Sequence, residues 1–288
     1  MNIDKNNIKL TLSSFYVILG LSTLLTSKTF CQTTTNTRYE QPPIKSDIEF
    51  EKGEMLTYVA GYAMFDAGQA VVKLDKNIHE VNGQECYKVD VTGKSIGVFG
   101  FTMKIRDLWQ SYFNTETLYP AQFNRDILEG SYTLIEQLDF DQENGKVDAM
   151  WHKKEDPPKK NYKEYEMQPN THDVISGYYY LRTIDYDQLV KGDTITMNAF
   201  WENEGYDFNI IYLGKEKVYT KFGRIESFVM SPIMPENQLF SGTHPIKFWV
   251  SDDVNRIPLK IQAELIVGAV NVDVVKYKGL KQKLKKAK

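Results

Sequence analysis

The chain has 288 residues, of which 42% are hydrophobic and 13% aromatic, and its 35 basic against 38 acidic side chains give a net charge of −3. That balance excludes the usual nucleic-acid-binding protein, which carries a basic excess. The two cysteines, Cys31 and Cys86, are too few and too far apart for a paired-Cys zinc or redox motif.

The first element in chain order reads as an export signal. Lys5 and Lys9 precede an uncharged apolar stretch of 17 residues, Leu10 to Thr26, and a short end, Ser27-Lys28-Thr29-Phe30-Cys31. This is the layout of a secretory signal peptide over residues 1–31, cut after Cys31 so that Gln32 becomes the first residue. Two rival readings stand beside it. An uncleaved anchor needs about this length to span a bilayer, but Ser13, Ser14, Gly20 and Ser22 interrupt the stretch. A lipid-modified Cys31 needs an apolar and a small residue where Lys28 and Phe30 stand. Cleavage removes Lys5, Lys9 and Lys28 against Asp4, so 35 bases become 32, 38 acids become 37, and the net charge becomes −5. Only Cys86 then remains, and a disulfide within the chain is impossible although the compartment would permit one. Residues 32–46, polar and closed by Pro42-Pro43, read as a disordered leader. No second long apolar segment follows, so the expectation is a protein soluble after cleavage in a bacterial periplasm.

Residues 47–279 read as one β-rich domain. Short alternating runs rich in Val, Ile, Tyr, Phe and Thr are divided by turn residues. Met55–Met64 and Gln69–Leu74 flank Asp66-Ala67-Gly68 as a hairpin. Glu85–Thr92, Thr102–Phe113, Ala121–Leu128, Tyr132–Phe140, Lys146–His152 and a weaker Tyr162–Met167 continue the pattern. Gly97-Val98-Phe99-Gly100 reads as an apolar turn. Asp173–Ile184 breaks the alternation, with Val174, Ile175, Tyr178 and Leu181 at helical spacing and Thr171 or Asp173 as N-cap. Strands resume over Thr194–Trp201, Phe208–Leu213, Glu216–Thr220, Gly223–Met230, Ile246–Ser251, Ile257–Leu265 and Ala269–Tyr277. About a dozen strands in a meander predict a mainly β fold (α+β). Its strongly curved antiparallel sheet or half-open barrel takes the helix on its concave face. The basic tail, 280–288, extends a run of seven lysines that begins at Lys276. It is expected to be solvated, with attraction to an anionic membrane as the alternative.

The order of short motifs resembles a known family. Glu51-Lys52-Gly53-Glu54-Met55-Leu56-Thr57-Tyr58, Asp66-Ala67-Gly68, Gly130-Ser131-Tyr132, Tyr179-Tyr180-Leu181-Arg182 and Trp249-Val250-Ser251-Asp252-Asp253 with Arg256-Ile257-Pro258 are similar to those of an exported bacterial domain-of-unknown-function family, number 3108. The resemblance implies an exported, sheet-rich fold like the half-barrel lipoprotein carriers of the Gram-negative envelope. It implies no catalytic residues.

The residues themselves carry no catalytic signature. His79, His152, His172 and His244 have no metal-ligand spacing, and there is no Gly-x-Ser-x-Gly or phosphate loop. No cofactor is expected. Glu54, Asp107 and Glu129 are candidates to pair with Arg106, Arg125 or Arg182. Arg182, on the helix's packing face, reads either as a salt bridge from helix to sheet or as an anchor for an anionic head group. Trp109, Tyr178, Tyr179, Trp201 and Trp249 could fill a large core or line an apolar pocket. The leading expectation is a non-enzymatic carrier of a lipid or other amphipathic molecule. Its rivals are a structural envelope protein that binds a protein partner, and an envelope hydrolase whose site is assembled only by the fold.

Overall fold

The computed structural model describes residues 37–45, 50–155, 157–234, 240 and 242–287. The expected signal peptide, 1–31, lies outside them. Apolar side chains alternate with polar ones along most of the chain, and a sheet is the structure that puts every second residue on one face. In chain order the strands are β1 (Arg38–Tyr39), β2 (Met55–Tyr62), β3 (Phe65–Leu74), β4 (His79–Val81), β5 (Gln84–Ser95), β6 (Arg106–Asn114), β7 (Pro120–Glu129), β8 (Tyr132–Asp141), β9 (Lys146–His152), β10 (Asn161–Glu166) and β11 (Thr171–His172). They continue with β12 (Thr194–Trp201), β13 (Glu204–Thr220), β14 (Gly223–Pro232), β15 (Ile246–Ser251), β16 (Pro258–Glu264) and β17 (Ala269–Lys278). A short helix, α1 (Gly97–Thr102), links β5 to β6, and a longer one, α2 (Val174–Thr183), lies between β11 and β12.

All seventeen strands form one sheet. From β12 the ladder runs antiparallel through β13, β14, β15, β16 and β17, crosses to β2, and continues through β3, β5, β6, β7, β8 and β9 to β10. β4 pairs with the start of β5, and β1 and β11 lie parallel on the free edge of β12. The sheet curls but does not close, and the segment that carries α2 joins its two ends, β10 and β12. Aromatic contacts cross the seam: Phe200 on β12 meets Tyr165 on β10 at 5.9 Å and Phe140 on β8 at 6.1 Å between ring centroids.

Helix α2 fits inside this curve because both its ends are tied. Asp173 is the N-cap: its Oδ1 accepts hydrogen bonds from the Ile175 and Ser176 amides at 2.7 and 2.9 Å, and Ser176 Oγ accepts in return from the Asp173 amide at 3.0 Å. The second Asp173 oxygen accepts from Ser111 Oγ on β6 at 2.5 Å. Burial pushes this carboxyl up to about 6, against the hydrogen bonds that favour its ionised form. Gly177 is the close-approach position, since a Cβ there would meet Met197 Cε on β12 at 2.5 Å.

Four details differ from the sequence reading. The apolar turn at Gly97 is the helix α1. Phe208–Leu213 and Glu216–Thr220 are one strand, β13, bent by a bulge between Tyr212 and Gly214 where Gly214 takes φ +105°. Residues 37–45, expected within a disordered leader, are held in place: Arg38 and Tyr39 pair with Thr194 and Ile195 on the edge of β12, Tyr39 packs on the buried cluster around Ile195, and 43–45 bond to Thr183–Asp185 at the end of α2. The tail folds back on the sheet because Leu284 has an apolar seat, while its described lysines, 281, 283, 285 and 286, stand in solvent as expected. The Leu284 side chain is buried, Lys286 bridges to Ile225, and the Ala287 amide donates to Arg224 O.

Candidate functional site

Small side chains at alternate inward positions leave space above the first turns of α2. Ala60 on β2, Ala70 and Val72 on β3, Val91 on β5 and Val272 on β17 face Val174, Ile175 and Tyr178 of the helix across a cavity of about 180 Å³. Tyr58, Trp109, Pro258 and Ile261 complete the wall, which is almost wholly apolar. Tyr58 Oη donates to the Pro258 carbonyl at 3.1 Å, and Tyr178 Oη is buried without a hydrogen-bond partner.

A second cavity, about 370 Å³ and polar, is lined by Arg125, Glu129, Tyr132, Glu136, Trp151 and Glu202 among others. It lies where β7, β8 and β9 approach the β12–β13 turn. That turn places Glu202 and Asn203 at positive φ, 49° and 68°, as a tight two-residue hairpin requires. Arg125 Nε donates to Glu136 Oε2 at 2.6 Å, and its Nη1 is 3.8 Å from Glu202 Oε1. Burial pushes the Glu129 carboxyl up to about 7, and one of its oxygens is buried with no hydrogen-bond partner. Two tilted rings and a guanidinium lie between the two cavities. Trp109, in the apolar wall, lies 5.3 Å from Trp201, and the Arg125 guanidinium sits 4.6 Å over the Trp201 ring.

The six residues singled out from sequence take different places. Trp109 and Tyr178 line the apolar cavity, and Trp201 backs it through Trp109. Tyr179 is fully buried between Phe50 and Phe113, at 4.8 and 5.1 Å between centroids. Trp249 is buried on β15 and donates from Nε1 to Glu216 Oε1 at 2.5 Å. Arg182 forms a bidentate pair with Glu54, Nη1 to Oε1 at 2.7 Å and Nη2 to Oε2 at 2.8 Å. Its Nε and Nη2 also donate to the Asn255 carbonyl at 3.2 and 2.8 Å, so the guanidinium locks helix to sheet. The alanines and valines of the cavity wall carried no sequence signal beyond being small at inward positions.

Two other titratable groups, His172 and Cys86, are buried. His172 is buried, stacked on Tyr180 at 4.8 Å, and burial lowers its pKa to about 3, so it is neutral near pH 7. Cys86 is fully buried and its thiol is pushed up to about 11, which makes it a small core residue. Among the described residues no group of three or more His, Cys, Asp or Glu could hold a metal ion, and no helix is long and apolar enough to cross a membrane.

Comparison with known proteins adds a family and a fold. The chain matches no curated protein sequence. Among solved structures it is similar to the crystal structure of a beta-barrel-like protein of domain of unknown function DUF1849 from Brucella abortus. The two share 9% identity over 81% of this chain and 99% of that one, with a TM-score of 0.52, a likeness of fold alone. Residues 57–275, most of the described sheet, match the profile of the proteins of unknown function DUF3108, and the chain belongs to that family.

Proposed function

We propose that this protein is an exported, non-enzymatic carrier of the bacterial envelope that holds an apolar or amphipathic molecule between its curved sheet and α2. The apolar cavity over Val174, Ile175 and Tyr178 carries the reading. At about 180 Å³ it exceeds the roughly 150 Å³ at which aliphatic-walled cavities stay dry and take up a benzene-sized molecule. A space of that size accepts one ring or the end of an acyl chain, not a whole lipid. The polar cavity supports an amphipathic ligand, because only the packed Trp109, Trp201 and Arg125 side chains stand between it and the apolar one, and a head group there would find Arg125, Glu129 and Glu202. The export half of the proposal rests on residues 1–31.

Lauric acid titrated calorimetrically into the purified protein tests the reading. The expected result is saturable binding with a negative heat-capacity change. Ala70→Phe, and the smaller filler Ala60→Leu, should weaken it while Tm shows that both variants fold. No heat with the native protein, or equal heats with the folded cavity-filling variants, would sink the proposal.

A further inference from the structure

Three loops at one end of the sheet carry large apolar side chains into solvent. Met64 and Phe101 are 91% and 95% exposed, and Phe65, Val98, Ile266 and Val267 are each more than half exposed. They belong to the β2–β3 turn, to α1 and to the β16–β17 turn. Hydrogen bonds hold the three together: the Ile96 amide donates to Ala67 O at 3.0 Å, and Tyr62 Oη donates to Val267 O at 2.8 Å. Helix α1 buries none of its own residues, so its Val98 and Phe101 do not serve the core. Apolar patches of this kind mark interaction surfaces.

The charge beside the patch indicates its partner. Lys94 at the end of β5 and Arg106 at the start of β6 are direct cross-strand partners, and both are exposed. Like charges placed opposite each other destabilise a sheet. Lys104, also exposed, adds a third base two residues before Arg106. Asp66 is the exposed acid among these loops, while Asp107, Glu129 and Glu264 at the adjoining strand ends are half-buried. Exposed apolar tips beside three exposed bases and one exposed acid complement an anionic lipid surface, where the tips enter the head-group layer and the bases meet phosphate.

The position of the loops is also informative. They cap β2, β3, β5, β16 and β17, the strands whose Ala60, Ala70, Val91, Ile261 and Val272 line the apolar cavity. The opposite end of β2 is tied to α2 by the Glu54–Arg182 pair. We propose that the rim formed by the β2–β3 turn, α1 and the β16–β17 turn docks on an anionic bilayer, with the cavity-lining strands directed at the membrane. As a route for cargo this rests on the carrier reading; as a membrane contact it stands on the rim alone.

Co-sedimentation of the purified protein with phosphatidylglycerol and with phosphatidylcholine vesicles, at low and high salt, tests it. The protein should pellet with phosphatidylglycerol, much less with phosphatidylcholine, and less as salt rises. The double variant Lys94→Gln/Arg106→Gln should lower partition by roughly tenfold or more. Phe101→Ser/Val267→Ser should abolish it, and calorimetric titration with lauric acid should be unchanged in both. Lauric acid binding without vesicle binding would overturn the docking proposal and leave the carrier reading intact; vesicle binding without lauric acid binding would do the reverse. Vesicle binding that survives Phe101→Ser/Val267→Ser, or a concentration-dependent dimer that the same variant dissolves, would also overturn the rim as a membrane contact.

Discussion

Arg182 and Glu54 illustrate how far a single residue could be read. A basic residue on a helix's packing face must find an acceptor when buried, and the salt-bridge reading follows from that alone. The partner's identity does not, because 128 residues separate the two and only the fold brings them together. Both are nearly inaccessible, at 3% and 2% exposure. Arg182→Met should therefore cost about 3–5 kcal/mol, since it strands the Glu54 carboxylate, while Arg182→Met with Glu54→Leu should recover most of that loss. Urea denaturation of the three proteins measures both. Glu129 behaves in the opposite sense to a paired carboxylate. Its folded pKa, about 7, stands above the 4.5 of the free side chain, so the folded state holds the proton more tightly. Its penalty is absent below about 4.5, grows as pH rises, and is complete above about 7. Glu129→Gln should accordingly raise Tm at pH about 8 and leave it unchanged at pH about 4, as a thermal melt at each pH would show.

Elements were more legible than residues. Alternation marked the long strands, and the helical stripe with its Asp173 cap marked α2, because both signals are local. What stayed hidden depended on neighbours. Six residues with two glycines, Gly97 to Thr102, give no periodicity, and α1 owes its shape to the β5–β6 connection it spans. The break at Leu213–Gly214 looked like a strand end because a glycine at positive φ serves a turn and a bulge equally well. Residues 37–39 are too polar to announce a strand, and pair only because the edge of β12 leaves its amides and carbonyls open. The apolar cavity was equally hidden: Ala60 and Ala70 leave a gap only because α2 stops short of filling the space above them.

At the scale of the whole molecule, the curved sheet with a helix inside followed from strand count and a single late helix, while the strand order did not. A plain meander would place the first and last strands at opposite edges. Instead β17 pairs with β2 along most of its length, Val270 opposite Tyr62 and Lys278 opposite Met55, and the antiparallel ladder ends in mid-sequence, at β10 and at β12 with the short β1 and β11 beside it. Turn residues carry no information about a contact between strands so far apart.

That β17–β2 seam governs when the chain can become a protein. The middle of the sheet requires a strand that arrives after every other strand described, so a chain still being synthesised has no complete apolar interior. Closing so long a loop is slow. Stopped-flow tryptophan fluorescence should show refolding in the range of seconds or longer, and removal of residues 269–287 should leave two half-sheets with bare edges that aggregate.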